Sequence, residues 1–298
     1  MLGAGNDKKK IIQKTHYMNK KRKTALSVIL VIALIFIFVF QNNHFSISYY
    51  EINVGFAKPV RIIQLTDLHN KEFGKENDRL VKEIIKQNPD VVVMTGDMIN
   101  NNEKNTSVIT TLVQKLSKYV PVYFSMGNHE ISYENKFKCD LVSYLENAGA
   151  IVLNYKYKDI IINDNEIRIG GYYGFYWTPH MITDNIDESE IMNEFSEAFE
   201  DTNKFKLLLC HIPTTWLDWN RIDDYPIDLI LCGHYHGGQV RIPFVGGLYA
   251  PYVGWFPKYT KGLFIGKEAN CILSTGLGSD GIIPRINNPP EIVIIDLK

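Results

Sequence analysis

Five short stretches of this chain gather side chains that can hold metal ions or move protons. They are Asp67-Leu68-His69, Gly96-Asp97, Gly127-Asn128-His129-Glu130, His211, and Gly233-His234-Tyr235-His236. Taken singly, each has an ordinary explanation: Asp near His is common in caps and turns, Gly-Asp is a turn signal, Asn tolerates the left-handed region, and His211 before Ile212-Pro213 can be a satisfied, half-buried side chain. Together they make one inventory of carboxylate, carboxamide and imidazole donors with no thiolate. That set suits Mn²⁺, Fe or Zn²⁺ in a reactive site and not a structural zinc–cysteine site. Two such ions about 3.5–4 Å apart, sharing one carboxylate, can orient an attacking hydroxide in line and neutralise a phosphoryl group. His234 and His236 flank a single residue, so a locally extended backbone would send both to one side and Tyr235 to the other.

Chemistry of this kind needs elements that bring five distant loops together. Val60–Leu65, Val91–Thr95 and Val120–Ser125 read as buried strands, and Phe205–Cys210 and Ile227–Cys232 as two more. Each ends just before one of the five stretches, and strand carboxyl ends are where open α/β sheets place ligands. Between them, Asn77–Asn88, Thr106–Tyr119 and Phe137–Ala148 carry apolar residues at helical spacing, the last closed by Gly149. A β-rich middle follows, with Asn163-Asp164-Asn165 as a hairpin turn, then an acidic helix over Asp187–Phe199. The last third is rich in Gly and aromatics and ends in the strand Glu291–Leu297. The alternation predicts a mixed α/β layered fold, in the form of two packed sheets.

The ordered series D-x-H, G-D, G-N-H-[DE], H and G-H-x-H resembles the signature of the calcineurin-like metallophosphoesterase superfamily, and the resemblance covers essentially all of 45–298. It implies a four-layer α-β-β-α sandwich and two divalent metal ions. By that resemblance Asp67, His69 and His236 hold the first ion, Asn128, His211 and His234 hold the second, and Asp97 bridges them. His129 matches the family's non-ligand histidine, which contacts phosphate and assists the leaving group, so His129 and Asp97 are the catalytic candidates, and Asn128 and His129 the candidates for substrate contact. A narrower similarity, to the membrane-associated bacterial YkuE/YaeI type, rests on the stretches "GHYHGGQVRIPFVGGLYAPYVGWFPKYTKGLF" and "STGLGSDGIIPRINNPPEIVIIDL", with Tyr235 where that group usually has Thr. Arg285 reads either as a phosphate or lipid headgroup contact or as a structural partner of Glu291. Trp177, Trp255, Phe256 and Tyr259 read either as an apolar lip beside a bilayer or as ordinary packing.

Charge is divided unevenly along the chain. Residues 1–24 carry eight Lys/Arg against Asp7, a net +7, while the remainder carries 24 basic and 32 acidic residues, a net −8. An acidic body argues against a broad nucleic-acid face, so no nucleic-acid partner is expected. The basic head, 1–24, runs into the apolar segment 25–40, which as a helix spans about 24 Å against a hydrocarbon core of roughly 30 Å. Snorkelling Lys21–Lys23 and Thr24 extend its reach. A cleaved signal should be followed by an Ala-x-Ala-like site and a core helix should show a polar face; neither is present. The expectation is therefore a single-pass anchor in the cytoplasmic membrane, head inside and domain outside, with a 41–46 linker and a 47–298 catalytic domain. The four cysteines form no C-x-x-C pair and read as small buried hydrophobes.

The function expected is hydrolysis of a phosphate ester, foremost a phosphodiester of a phospholipid or cell-envelope component. A broad phosphoesterase of soluble nucleotides or phosphomonoesters is the alternative. A non-catalytic scaffold is disfavoured because it should have lost ligands.

Overall fold

A computed structural model of the chain describes residues 4–174, 186–280 and 284–298. The chain divides after Asn43 into two units. The first contains one helix, α1 (Ala4–Asn43). Expected over 25–40, the helix in fact takes in most of the basic head and continues through 41–43. Lys and Gln are strong helix formers, and the Asn42 and Asn43 side chains donate to the Phe38 and Val39 carbonyls one turn back. Of the expected linker 41–46, only His44 and Phe45 lie outside regular structure, because Ser46 opens the first strand. Lys20–Asn43 is long and apolar enough to cross a membrane.

The second unit, His44–Lys298, alternates strands and helices in chain order: β1 (Ser46–Ile52), β2 (Val60–Leu65), α2 (Asp78–Lys86), β3 (Val91–Thr95), α3 (Ser107–Leu116), β4 (Val122–Ser125), α4 (Asn128–Phe137), α5 (Leu141–Asn147), β5 (Ala150–Val152), β6 (Lys156–Ile162), β7 (Asn165–Tyr172), α6 (Ile186–Glu200), β8 (Phe205–Cys210) and β9 (Leu229–Cys232). Four two-residue strands follow, β10 (Arg241–Ile242), β11 (Gly246–Gly247), β12 (Tyr249–Ala250) and β13 (Gly254–Trp255), then β14 (Gly262–Ile265), β15 (Asn270–Leu273) and β16 (Glu291–Leu297). Two six-stranded sheets result, ordered β1-β16-β2-β3-β4-β5 and β14-β15-β9-β8-β7-β6. Strands β2 to β5 run parallel, as do β15, β9, β8 and β7, so the loops that leave each set emerge along one edge.

Side-chain alternation builds the layers. In β3, Val91 and Val93 face inward with Ile62 to meet Leu207, Leu209, Leu229 and Leu231 of the other sheet. Val92 and Met94 face outward, under Leu80 and Ile84 of α2 and Leu112 and Leu116 of α3. Across the second sheet, Leu208, Cys210, Ile230 and Cys232 carry Phe195 and Phe199 of α6 together with Trp216. This is the α-β-β-α sandwich. Cys210, Cys232 and Cys271 are buried within it and Cys139 is half-buried, all as free thiols.

Candidate metal centre

The five stretches leave the carboxyl ends of β2, β3, β4, β8 and β9, where the two sheets meet. Gln64 Nε2 donates to the Cys232 carbonyl at 3.0 Å, and His211 Nδ1 lies 2.7 Å from the Thr95 carbonyl, so each contact ties one sheet to the other. Backbone conformation at this edge is costly. Asp67, His69, Asp97, His234 and His236 all have φ between 47° and 71°. For residues with a Cβ the left-handed region costs roughly 1–2 kcal/mol each. The extended backbone expected at His234–His236 is therefore absent: Tyr235 is α-like (φ −85°) between two left-handed histidines. The strain is held by a ladder of turn hydrogen bonds, Asp67 N–H to Gly96 O at 3.0 Å and His69 N–H to Asp97 O at 3.1 Å among them.

Close approach dictates two glycines. A Cβ on Gly96, itself at φ +85°, would sit 2.6 Å from Gly127 Cα, and one on Gly233 would sit 2.2 Å from Thr66 Oγ1. Larger residues there would push the β3 and β9 loops away from their neighbours.

Six of the seven expected ligands fall into two clusters, each with ligand atoms within 4.8 Å of one another: Asp67, His69 and His236, and Asp97, His211 and His234. All six are buried. In the first, His69 Nε2 lies 4.0 Å and His236 Nε2 3.7 Å from Asp67 Oδ1. In the second, His211 Nε2 is 3.0 Å from Asp97 Oδ2 and 3.2 Å from His234 Nδ1. Asn128, the seventh, opens α4 beside His129, whose N–H donates to Asp97 Oδ1 at 2.8 Å.

The donors fit divalent cations. Both ring nitrogens of His69, His234 Nε2 and Asn128 Oδ1 are buried with no hydrogen-bond partner among protein atoms. Buried polar atoms normally find a partner, and leaving one without costs about 1–3 kcal/mol. His211 donates through Nδ1 to the Thr95 carbonyl and turns Nε2 toward Asp97, the usual orientation of a metal-bound imidazole once Nε2 gives up its proton. Burial pushes His69 and His234 down to about 3 and His236 well below the ordinary histidine value, so all three are neutral. Burial, reinforced by the charge of Asp97, lifts Asp67 to about 6. Burial also works against a charge on His211, but Asp97 outweighs it and raises the imidazole to about 10. A cation at Nε2 must displace that proton.

His129 lies outside both clusters and next to them, 4.0 Å from Asp97 Oδ2 through Nε2. Its Nδ1 accepts from the Asn101 N–H at 3.3 Å, which assigns the neutral ring's proton to Nε2. Nε2–H also faces Asp280 Oδ2 at 3.2 Å. Arg285 is only 1% exposed: Nε donates to the Gly278 carbonyl at 2.6 Å, Nη2 to the Thr275 carbonyl at 2.5 Å, and Nη2 lies 3.5 Å from His236 Nδ1. Glu291, its expected partner, instead accepts from Ser48, Lys261, Ser274 and the Thr275 N–H.

Three participants escaped the sequence reading. Glu130 stood in the motif without a role; it accepts from the N–H groups of Asp97, Met98 and Gly127 at 2.7–2.8 Å, clamping the β3 loop to the start of α4. Thr66 donates to Asp67 Oδ2 at 2.8 Å. Asp280 was signalled only by its place between glycines after β15, one more strand carboxyl end. Of the expected apolar lip, Trp255 and Phe256 are exposed, Tyr259 packs half-buried on the outer core, and Trp177 lies outside the described residues.

Comparison with known proteins converges on the same reading. The calcineurin-like phosphoesterase family model matches residues 60–238. The chain is 29% identical over 248 residues to the uncharacterized metallophosphoesterase Cj0846 of Campylobacter jejuni, covering 81% of this chain but only 60% of that protein. It is 27% identical to the uncharacterized metallophosphoesterase YkuE of Bacillus subtilis, covering 80% of this chain and 79% of that one. It is likewise 27% identical to the phosphodiesterase YaeI of Escherichia coli, covering 81% and 83%. With its ordered ligand blocks, its layered sheets and this match over most of the second unit, the chain belongs to the calcineurin-like phosphoesterases, hydrolases of phosphate esters that use two divalent metal ions.

Proposed function

We propose that this protein is a membrane-anchored phosphodiesterase acting on a phospholipid or another envelope diester outside the cytoplasmic membrane. Asp67, His69 and His236 would hold one divalent ion and Asn128, His211 and His234 the other, with Asp97 placed to serve both. The observation that supports this reading is the pair of adjacent buried clusters, Asp97 lying in the second, with ring nitrogens of His69 and His234 left without protein partners. When bound, the ions supply positive charge to the phosphoryl oxygens and a nucleophilic water.

The chain's own groups do the rest. His129 presents Nε2–H toward the centre, where it would hydrogen-bond a phosphoryl oxygen and the departing oxygen as negative charge builds on it. Asp280 holds that proton in place before substrate arrives. Glu130 fixes the backbone of Asp97, and Arg285 acts as a positioning residue, pinning the 274–278 loop beside Asp67 and His236 in preference to touching the phosphate.

The membrane assignment rests on Lys20–Asn43 and on the basic head, which the positive-inside tendency keeps cytoplasmic. A tether that short keeps the site near lipid headgroups. The diester preference follows the relative named a phosphodiesterase. The test is a comparison of the reconstituted full chain, loaded with Mn²⁺, Fe²⁺ or Zn²⁺, on phospholipids, nucleotides and simple mono- and diesters. Lipid diesters are expected to give the highest kcat/KM; soluble monoesters or nucleotides turned over best would establish the broad phosphoesterase instead.

A further inference from the structure

Exposed apolar side chains are scattered thinly over most of the second unit but crowd one stretch. Among the described residues from His44 onward, seven of the sixteen large exposed hydrophobics fall within the fifteen residues 242–256. They sit on two miniature hairpins, β10–β11 and β12–β13. Phe244 and Val245 occupy the first turn, Tyr252 the second, and Trp255 (67% exposed) and Phe256 follow it. A soluble turn would place Gly or Asn where φ is positive. Here Phe244, Tyr252 and Phe256 adopt φ of 67°, 62° and 54°, and Phe244 is fully exposed. Phe244, strained into a turn tip and fully exposed, is kept for something outside the fold.

Charge identifies what that is. Residues 241–261 contain Arg241, Lys258 and Lys261 and no acid, in a body that otherwise carries an excess of acids. Arg241 is tied to the Gly237 carbonyl and Thr260, and Lys261 to Glu291, which leaves the exposed Lys258 as the cation facing outward. Aromatic tips with an exposed ammonium beside them and no acid in the stretch fit the boundary of an anionic bilayer: rings at headgroup depth, the Lys258 ammonium on a lipid phosphate. The patch is also continuous with the site, because the Tyr252 ring stacks on His234 at 5.3 Å between centroids and 14° between planes.

We infer that the two hairpins of residues 241–256 are a second membrane contact, which dips into the lipid interface and presents the headgroup diester to the metal centre. The inference rests on the membrane-facing reading above and specifies which face of the domain meets the lipid.

The test uses the full chain reconstituted in vesicles of phosphatidylcholine and phosphatidylglycerol whose acyl chains are brominated. Subtracting the quenching of Trp255→Phe from that of the wild type isolates Trp255, and this residue is expected to be quenched. The combined variant Phe244→Ser/Val245→Ser/Phe256→Ser, which spares Tyr252, should lose that quenching and hydrolyse vesicle lipid at least about tenfold more slowly, since each apolar side chain withdrawn forfeits lipid burial. Its rate on soluble bis(p-nitrophenyl) phosphate should be unchanged. Unquenched Trp255, or an unchanged lipid rate, overturns the inference. So does a change of sedimentation behaviour in detergent without a change in quenching, which would assign the patch to a second copy of the chain. Loss of the soluble-ester rate in the wild type itself would strike at the phosphodiesterase reading and leave the quenching result to judge the surface.

Discussion

At Asp97 three demands meet. Its carboxylate faces His211 at 3.0 Å, takes the His129 N–H at 2.8 Å, and hangs from a backbone N–H that Glu130 holds. Burial works against its ionisation, but His211 outweighs this and keeps it well below the usual carboxylate range, which suits the bridging role proposed for it. Asp97→Asn removes the negative charge and leaves a single oxygen donor in its place. Metal titration should show both ions weakened and turnover reduced by at least about 10³, the scale on which a unit of catalytic groups fails when one is removed. His129→Ala should behave differently: metal content preserved, kcat lower by about 10²–10⁴, as expected when a proton donor alone is lost. Glu130→Gln would place an amide NH₂ against backbone donors and should cost about 1.5–3 kcal/mol in a denaturant titration.

At the scale of elements, buried strands were the most legible feature. β2, β3, β8 and β16 have the bounds their apolar runs suggested, because a strand covered on both faces is apolar throughout. Elements with mixed faces were not. β1 has no apolar run to announce it, because Ser46, Ser48 and Glu51 interrupt its apolar residues; the order comes from pairing with β16, seven residues in register. α4 carries no helical pattern in its first turn, because Asn128-His129-Glu130 has the composition of a loop. It is a helix because Glu130 reaches back to the Gly127 N–H and caps it. The candidate donors are legible because their residue types are specific; how the backbone delivers them is not, since left-handed φ at non-glycine residues has no signature in composition.

Glu291 yields a prediction at this scale. It opens β16 and ties β1, β15 and the 260s loop together through Ser48, Ser274 and Lys261. Burial raises its pKa, but Lys261, Ser48 and the Thr275 N–H outweigh burial and lower it below 4.5. A folded pKa below the unfolded one means stability present above about pH 4.5 and lost as pH falls through the folded value, where the unfolded chain binds the extra proton. Glu291→Gln should therefore cost about 1.5–3 kcal/mol near pH 7. Thermal denaturation followed from pH 7 to 3 should show this deficit shrinking; a deficit independent of pH would remove the charge from the account.

At the scale of the molecule, two sheets with parallel cores converge their strand ends on one edge, and the buried donors collected there would be satisfied by the two cations the family uses. Chelation should therefore lower the Tm of the whole second unit. A ligand at a hundred times its dissociation constant contributes about 2.7 kcal/mol, a loss readily seen in scanning calorimetry. Placement is a separate matter: protease added to intact cells should digest the second unit, and digestion only after lysis would reverse the orientation.

The central claim is a two-ion phosphoesterase centre bridged by Asp97. It is tested most directly by titrating Mn²⁺ into the chelated full chain while following bis(p-nitrophenyl) phosphate hydrolysis and bound metal together. The account predicts that activity reaches its plateau at two ions per chain and that Asp97→Asn stays inactive with excess metal. Full activity at one ion, or an active Asp97→Asn, would contradict it.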